Sequence, residues 1–211
     1  MNFNIIKSVS GVPFLWMLFE RIFGADTQKK RIYRGAFKPR YSVLDFGCSV
    51  GNTTGAFLDF DYLGYDIDSK AIQYAKRKWK NSPTVKFECG NILDGKIKAN
   101  SLDFVLFAGT GHHINDEEII LIFNELIRIL KPNGELWFFD ILKPDSQSPL
   151  MVRILAKIDR GKYIRTMEQY KRILESLSDI RITESKIIKV VGALVPQEDY
   201  GFFRLEKTLE L

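Results

Sequence analysis

Cysteine is scarce in this chain. Only Cys48 and Cys89 occur among 211 residues, with no metal-ligand spacing between them. That excludes a disulfide framework and a cysteine-built zinc site, and it points to a reducing, cytoplasmic setting. Histidine is equally rare, His112 and His113 being the only two. No apolar run is long enough to span a bilayer: "GVPFLWMLF" is short, and Glu20 and Arg21 follow at once. The same stretch lacks the basic start and small-residue cleavage site of a signal peptide. Internal repeats, low-complexity tracts and interdomain linkers are also missing.

What the chain does contain is core material. Hydrophobic residues make up 45% and aromatics 13%, with 16 phenylalanines, which suits one folded domain with a sizeable core. Net charge is +5. Lys76, Arg77, Lys78 and Lys80 fall on one expected helix, without the arginine-glycine or aromatic stacking pattern of an RNA reader. A solvated basic surface is therefore preferred to a nucleic-acid interface. "PFLWMLFERIFG" reads as an amphipathic helix from Pro13 to a stop at Gly24. It belongs to an expected N-terminal helical cap over residues 1–38 that packs on the domain, with a lid or a peripheral membrane contact as second roles.

Strand and helix signals then alternate. "YSVLDFG", "DYLGYDID", "PTVKFECGN", "SLDFVLFAG" and "ELWFFDIL" read as five strands, the fourth apolar enough to be buried on both faces. Between the second and third, Ala71, Ile72, Ala75 and Trp79 share one helical face. A further helix starts at Asn115, its expected cap, with Asp116, Glu117 and Glu118 at its positive end, and stops at "KPNG". Residues 144–178 read as mainly helical around a charged centre, and "DIRITESKIIKVVG" and "YGFFRLEKTLEL" as a terminal antiparallel pair. The expected architecture is a doubly wound, mostly parallel α/β sheet. The insertion 144–178 follows the fifth strand, at the carboxyl edge where ligands bind such sheets.

The stretch "VLDFGCSVGNTTG" reads as a buried strand turning sharply into a helix. A dinucleotide fingerprint from Gly47 would need glycines at 49 and 52, where Ser49 and Asn52 stand. No lysine with Ser or Thr follows Gly51, so it is not a phosphate-binding P-loop either. A ligand without phosphates, approached closely near Gly47 and Gly51, suits it better. Asp66, about 20 residues on, can accept from both hydroxyls of an adenosine ribose, while Asp68 caps the next helix. Asn91 can meet an adenine edge and Ile92 can flank the ring.

Together these stretches resemble the class I S-adenosylmethionine-dependent methyltransferases over roughly residues 40–142. "VLDFGCSVGNTT", "YLGYDIDSKAIQYAK", "VKFECGNIL", "SLDFVLFAGTGHHI" and "LIRILKPNGELWFFD" follow the order of that family's motifs. The resemblance implies a Rossmann-like seven-stranded sheet. It implies that Asp45, Gly47, Cys48, Ser49 and Gly51 surround the methionine and ribose of S-adenosylmethionine, and that Asp66 binds the ribose. Ile67, Asn91 and Ile92 would hold the adenine, and Ala108 and Gly109 would line the floor near the sulfonium. Ser49, Asn91 and Asn133 depart from the commoner glycine, aspartate and glycine. With the family's strand order, Cys48 and Cys89 stand roughly 10 Å apart, beyond disulfide reach, and read as packing residues.

His112 and His113 follow the fourth strand at the expected site mouth, where either could act as a general base. Asp140, ending the fifth strand, is a second candidate. No cluster has metal spacing, so no metal is expected. "DRGKYIRT" carries Asp159, Arg160, Lys162, Tyr163 and Arg165 above the sheet edge, and Arg160, Tyr163 and Arg165 are candidates for binding the acceptor. The leading reading is a methyltransferase acting on a small molecule or a saccharide or lipid precursor. A non-catalytic S-adenosylmethionine-binding protein is the alternative, and an RNA methyltransferase a weaker one.

Overall fold

The structure is a computed structural model that describes Tyr33 and residues 41–158, 161–190 and 198–208. The expected cap over residues 1–38, Tyr33 apart, and the candidate Arg160 lie outside the described residues.

Seven strands form one sheet: β1 (Ser42–Phe46), β2 (Asp61–Asp66), β3 (Val85–Cys89), β4 (Leu102–Ala108), β5 (Leu130–Ile141), β6 (Ile180–Val190) and β7 (Glu198–Lys207). Their order is β3-β2-β1-β4-β5-β7-β6. The first five are parallel, and β7 runs antiparallel to both β5 and β6. This is the expected doubly wound α/β sheet with its terminal antiparallel pair.

Alternation along the strands sends side chains to opposite faces and makes two cores. Val43, Tyr62, Phe104, Leu106, Trp137 and Phe139 face one side, where helix α1 (Ser69–Lys78) brings Ile72 and Ala75. Leu44, Phe46, Val105, Phe107, Leu136 and Phe138 face the other. There α2 (Asp116–Ile129) packs Ile119, Phe123 and Leu126, and a later helix, α4 (Met167–Glu175), packs Tyr170 and Ile173. α3 (Leu150–Ile158) lies between β5 and α4. Side chains start α1 and α2 as the sequence suggests. Asp68 accepts from the Lys70 and Ala71 N–H groups, and Asn115 accepts from the Glu118 N–H. Thr166 and Gln169 form a reciprocal capping box at α4. No helix among the described residues is long and apolar enough to cross a membrane.

Three expectations need correction. The helix after β1 is only a single 3-10 turn, Thr54–Ala56, because two β-branched threonines and Gly55 are poor helix formers. "KPNG" does not precede the fifth strand but bulges within it. Register passes from Leu102 opposite Leu130 to Phe104 opposite Glu135, and Asn133 takes φ 60°. Finally, Cys48 is buried as expected, but Cys89 is exposed, since β3 is an edge strand with one neighbour.

Candidate active site

Strand order reverses between β1 and β4, so the loops leaving their carboxyl ends diverge and open a crevice. The β1 loop has left-handed backbone at alternate residues: Gly47 at φ 77°, Ser49 at 48° and Gly51 at 68°. This winding turns successive N–H groups to different partners. Gly47 donates to the Tyr65 carbonyl at 2.8 Å, and Ser49 donates to Asp66 Oδ2 at 2.8 Å. From below, Trp79 Nε1 and Lys78 Nζ donate to the Gly51 carbonyl at 2.9 and 3.3 Å. A Cβ on Gly47 would collide with the Thr110 side chain. The first and fourth strand ends therefore touch here, and glycine is needed for that approach.

Asp66 ends β2 half-buried, its Oδ1 accepting from the Asp68 N–H at 2.9 Å. Burial raises its carboxyl above the ordinary value. Asp45 lies deeper and is 3% exposed. Its Oδ2 accepts from Tyr62 Oη at 2.7 Å and from Thr53 Oγ1 at 3.4 Å. Burial dominates those bonds and pushes its carboxyl up to about 6. Burial likewise holds the Cys48 thiol well above its usual range, which makes it a packing group rather than a thiolate.

At the β3 end, the exposed Asn91 accepts from the Leu93 N–H at 3.0 Å and starts a 3-10 turn. Ile92 points into the core under α2, whereas Ile67 is 74% exposed beside the β2 end. At the β4 end Ala108 is half-buried. Gly109 takes φ 64°, and a Cβ there would meet nothing within 4 Å. Open space thus adjoins the floor residues.

The next turn, Gly111–His113, joins residues that sequence spacing left apart. His112 Nδ1 lies 2.6 Å from Asp140 Oδ1, and the His112 backbone N–H donates to Oδ2 at 2.8 Å. Tyr170 Oη donates to the same Oδ2 at 3.3 Å. His113 is exposed, with its ring 4.1 Å from that of His112. Residues 161–166 strap this turn down: the Tyr163 N–H donates to the His112 carbonyl at 3.0 Å. Arg165 is 3% exposed. Its guanidinium donates to the carbonyls of Gly111, Tyr163 and Ile114 and, through Nε and Nη2, to Asp116 Oδ1. All five of its N–H donors are engaged within the protein, so in this geometry Arg165 holds the loop rather than a ligand. The Tyr163 side chain remains partly exposed above it.

Residue order alone did not point to Tyr62, Trp79, Thr110 or Tyr170. Each acts through a contact distant in sequence, and each has an aromatic or β-branched side chain that fits an ordinary strand or helix.

Residues 43–134 match the model of a family described as a methyltransferase domain. The sterol 24-C-methyltransferase erg6 of Aspergillus fumigatus is 27% identical over 177 residues, covering 79% of this chain and 44% of that protein. The chain spans less than half the length of the curated relatives it matches. Among solved structures, an S-adenosylmethionine-dependent methyltransferase of Methanosarcina mazei superposes with a TM-score of 0.70 at 17% identity, over 85% of this chain and 98% of the other. Phosphoethanolamine N-methyltransferase 2 of Haemonchus contortus, bound to phosphomonomethylethanolamine and S-adenosylhomocysteine, gives 0.71 at 15%, over 93% and 57%. Residues 43–134 thus match a methyltransferase domain, and the seven-stranded sheet has the fold of S-adenosylmethionine-dependent methyltransferase structures.

Proposed function

We propose that the protein transfers a methyl group from S-adenosylmethionine to a small-molecule acceptor, of the saccharide or lipid-precursor kind. The observation that carries this reading is the left-handed loop Gly47–Gly51 tied through the Ser49 N–H to Asp66, with open space beside Gly109 at the end of the adjacent strand. The residues present fit the cofactor. Asp66 has lone pairs beyond those that accept from the neighbouring backbone N–H groups, and a carboxylate there suits the paired hydroxyls of a ribose. The exposed Ile67 and Asn91 adjoin it, an apolar surface and an amide edge for an adenine. Asp45 and the loop would meet the methionine end.

S-Adenosylmethionine supplies a methyl group already activated on positive sulfur. The chain's contribution is to hold the acceptor in line with it and to exclude water. The sterol and phosphoethanolamine enzymes named above act on small molecules, which favours that acceptor class. Calorimetric titration with S-adenosylmethionine tests the reading: wild type binds, and Asp66→Ala weakens binding by about tenfold or more, the scale of lost hydrogen bonds to a charged group. Absence of wild-type binding, or equal binding by Asp66→Ala, would overturn it.

A further inference from the structure

We propose that α3 docks this protein on an anionic lipid surface, its exposed apolar face entering the headgroup layer. Methyl transfer is not assumed in this, although a membrane there would suit a lipid acceptor. Residues 144–164 leave the sheet after β5 and return beside their starting point. At the base of this excursion the Lys143 N–H donates to the Arg165 carbonyl at 2.9 Å, and Leu142 bridges to Arg165. Asp145 fixes the outgoing limb, its Oδ1 accepting from the Gln147 and Ser148 N–H groups and from Ser148 Oγ. The Arg165 strap fixes the returning one. α3 is thus a helix carried on a closed base.

Its apolar side chains do not pack on the sheet. Leu150 is 69% exposed, Met151 52% and Ile154 42%. At 3.6 residues per turn these three share one face. Val152 is buried on the opposite face and belongs to neither sheet core. Single apolar groups on a surface are ordinary, but three adjoining ones on a nine-residue helix mark a contact surface.

Charge identifies what that surface meets. Arg153 and Lys157 run along one flank of the apolar face, and α3 contains no acid. Lys143 and Lys162 are exposed near the ends of the excursion. None of these four cations forms an ion pair with a described residue. Residues 143–165 hold six lysines and arginines against two aspartates. Leu121 of α2 is the contrast. It is 56% exposed, but Glu117, Glu118 and Glu125 lie at helical-neighbour spacing, and an anionic surface would repel them. An apolar face flanked by long cationic side chains is the pattern of a helix lying in a membrane interface. The stems follow the acyl chains while the charged heads reach lipid phosphates. Each cation close to such a surface adds roughly fivefold to partitioning.

Sedimentation of the full chain with vesicles tests the proposal, using phosphatidylcholine alone or with phosphatidylglycerol as roughly a third of the lipid. Wild type is expected to pellet with the anionic vesicles, to stay largely in solution with the neutral ones, and to be released as salt rises. Leu150→Ser together with Ile154→Ser should lower partitioning about tenfold or more. Arg153→Gln together with Lys157→Gln should do the same, and Leu121→Ser should change nothing. All these positions are exposed, and unchanged circular dichroism and melting temperature would show that the variants fold. Wild type left in solution, equal pelleting with both vesicles, or binding that either pair leaves unchanged overturns the proposal. So does a wild-type dimer in analytical ultracentrifugation that Leu150→Ser with Ile154→Ser dissolves, since the face would then belong to a second copy. Sedimentation needs no S-adenosylmethionine. A failure of the methyl-transfer reading would show separately, as absent cofactor binding in the calorimeter.

Discussion

Asp45 shows a buried acid working against the fold that carries it. Its carboxyl stands at about 6 in the folded chain against an ordinary 3.8, because burial disfavours the anion. The folded state therefore holds the proton more tightly, and stability falls as pH rises from about 4 to about 6. The loss is at most about 3 kcal/mol. Asp45→Asn keeps an acceptor for Tyr62 and removes that loss. Denaturant titrations should show the two proteins alike at pH 4 and the variant more stable at pH 7. Ser49 is a smaller case. Its φ of 48° is left-handed, a conformation that costs an L-residue about 1–2 kcal/mol and glycine little. Glycine gives back part of that in unfolded-chain entropy. Ser49→Gly should raise the unfolding free energy from denaturant titration by a net of about 0.5–1 kcal/mol, with the backbone N–H at position 49 still bonded to Asp66. The family resemblance marks this residue as a departure from the commoner glycine, and its left-handed backbone supplies the physical reason.

At the scale of elements, the strap between α3 and α4 decides how the histidine turn is held. Arg165→Leu leaves the carbonyls of Gly111, Tyr163 and Ile114 short of a donor. It should cost about 2–4 kcal/mol in denaturant unfolding. It should also speed hydrogen exchange at the Tyr163 amide, which bonds to the His112 carbonyl. Strands and helix starts were legible in the residues because each is a local matter: a nearly continuous apolar run in "SLDFVLFAG", a side-chain oxygen before α1 and α2. What was not legible depended on pairs far apart in the chain. Asp140 and His112 are 28 residues apart, and no periodicity links a strand end to a turn after the preceding strand. Arg165 looked like a ligand-binding cation because its charge is visible in sequence, while the carbonyls that consume its donors are not. The helix expected after β1 failed for the opposite reason: it was read from the strand-to-loop pattern, although the local residues Thr53, Thr54 and Gly55 disfavour a helix.

For the whole molecule, the carboxyl ends of the five parallel strands lie along one edge of the sheet, so a ligand bound there would couple to global stability. S-Adenosylhomocysteine at a hundredfold excess over its dissociation constant should stabilise the fold by about 2.7 kcal/mol. For a chain of this length that is a rise of roughly 5–10 °C in melting temperature. Differential scanning calorimetry checks it, with adenosine as a weaker control. Aromatic packing spreads that coupling, since Phe107, Phe123 and Phe138 contact one another edge to face or tilted across the β4, β5 and α2 layers. Among the described residues the same sheet ends in two rims, β3 and β6, whose outer backbone has no neighbouring strand. β3 is short and turns Lys86 and Glu88 outward, and β6 carries Arg181, Glu184, Lys186 and Lys189. Charges of both signs along a rim make it a poor template for another chain's strand. The molecule can thus keep a long, phenylalanine-rich sheet without inviting the edge-to-edge stacking that precipitates such sheets.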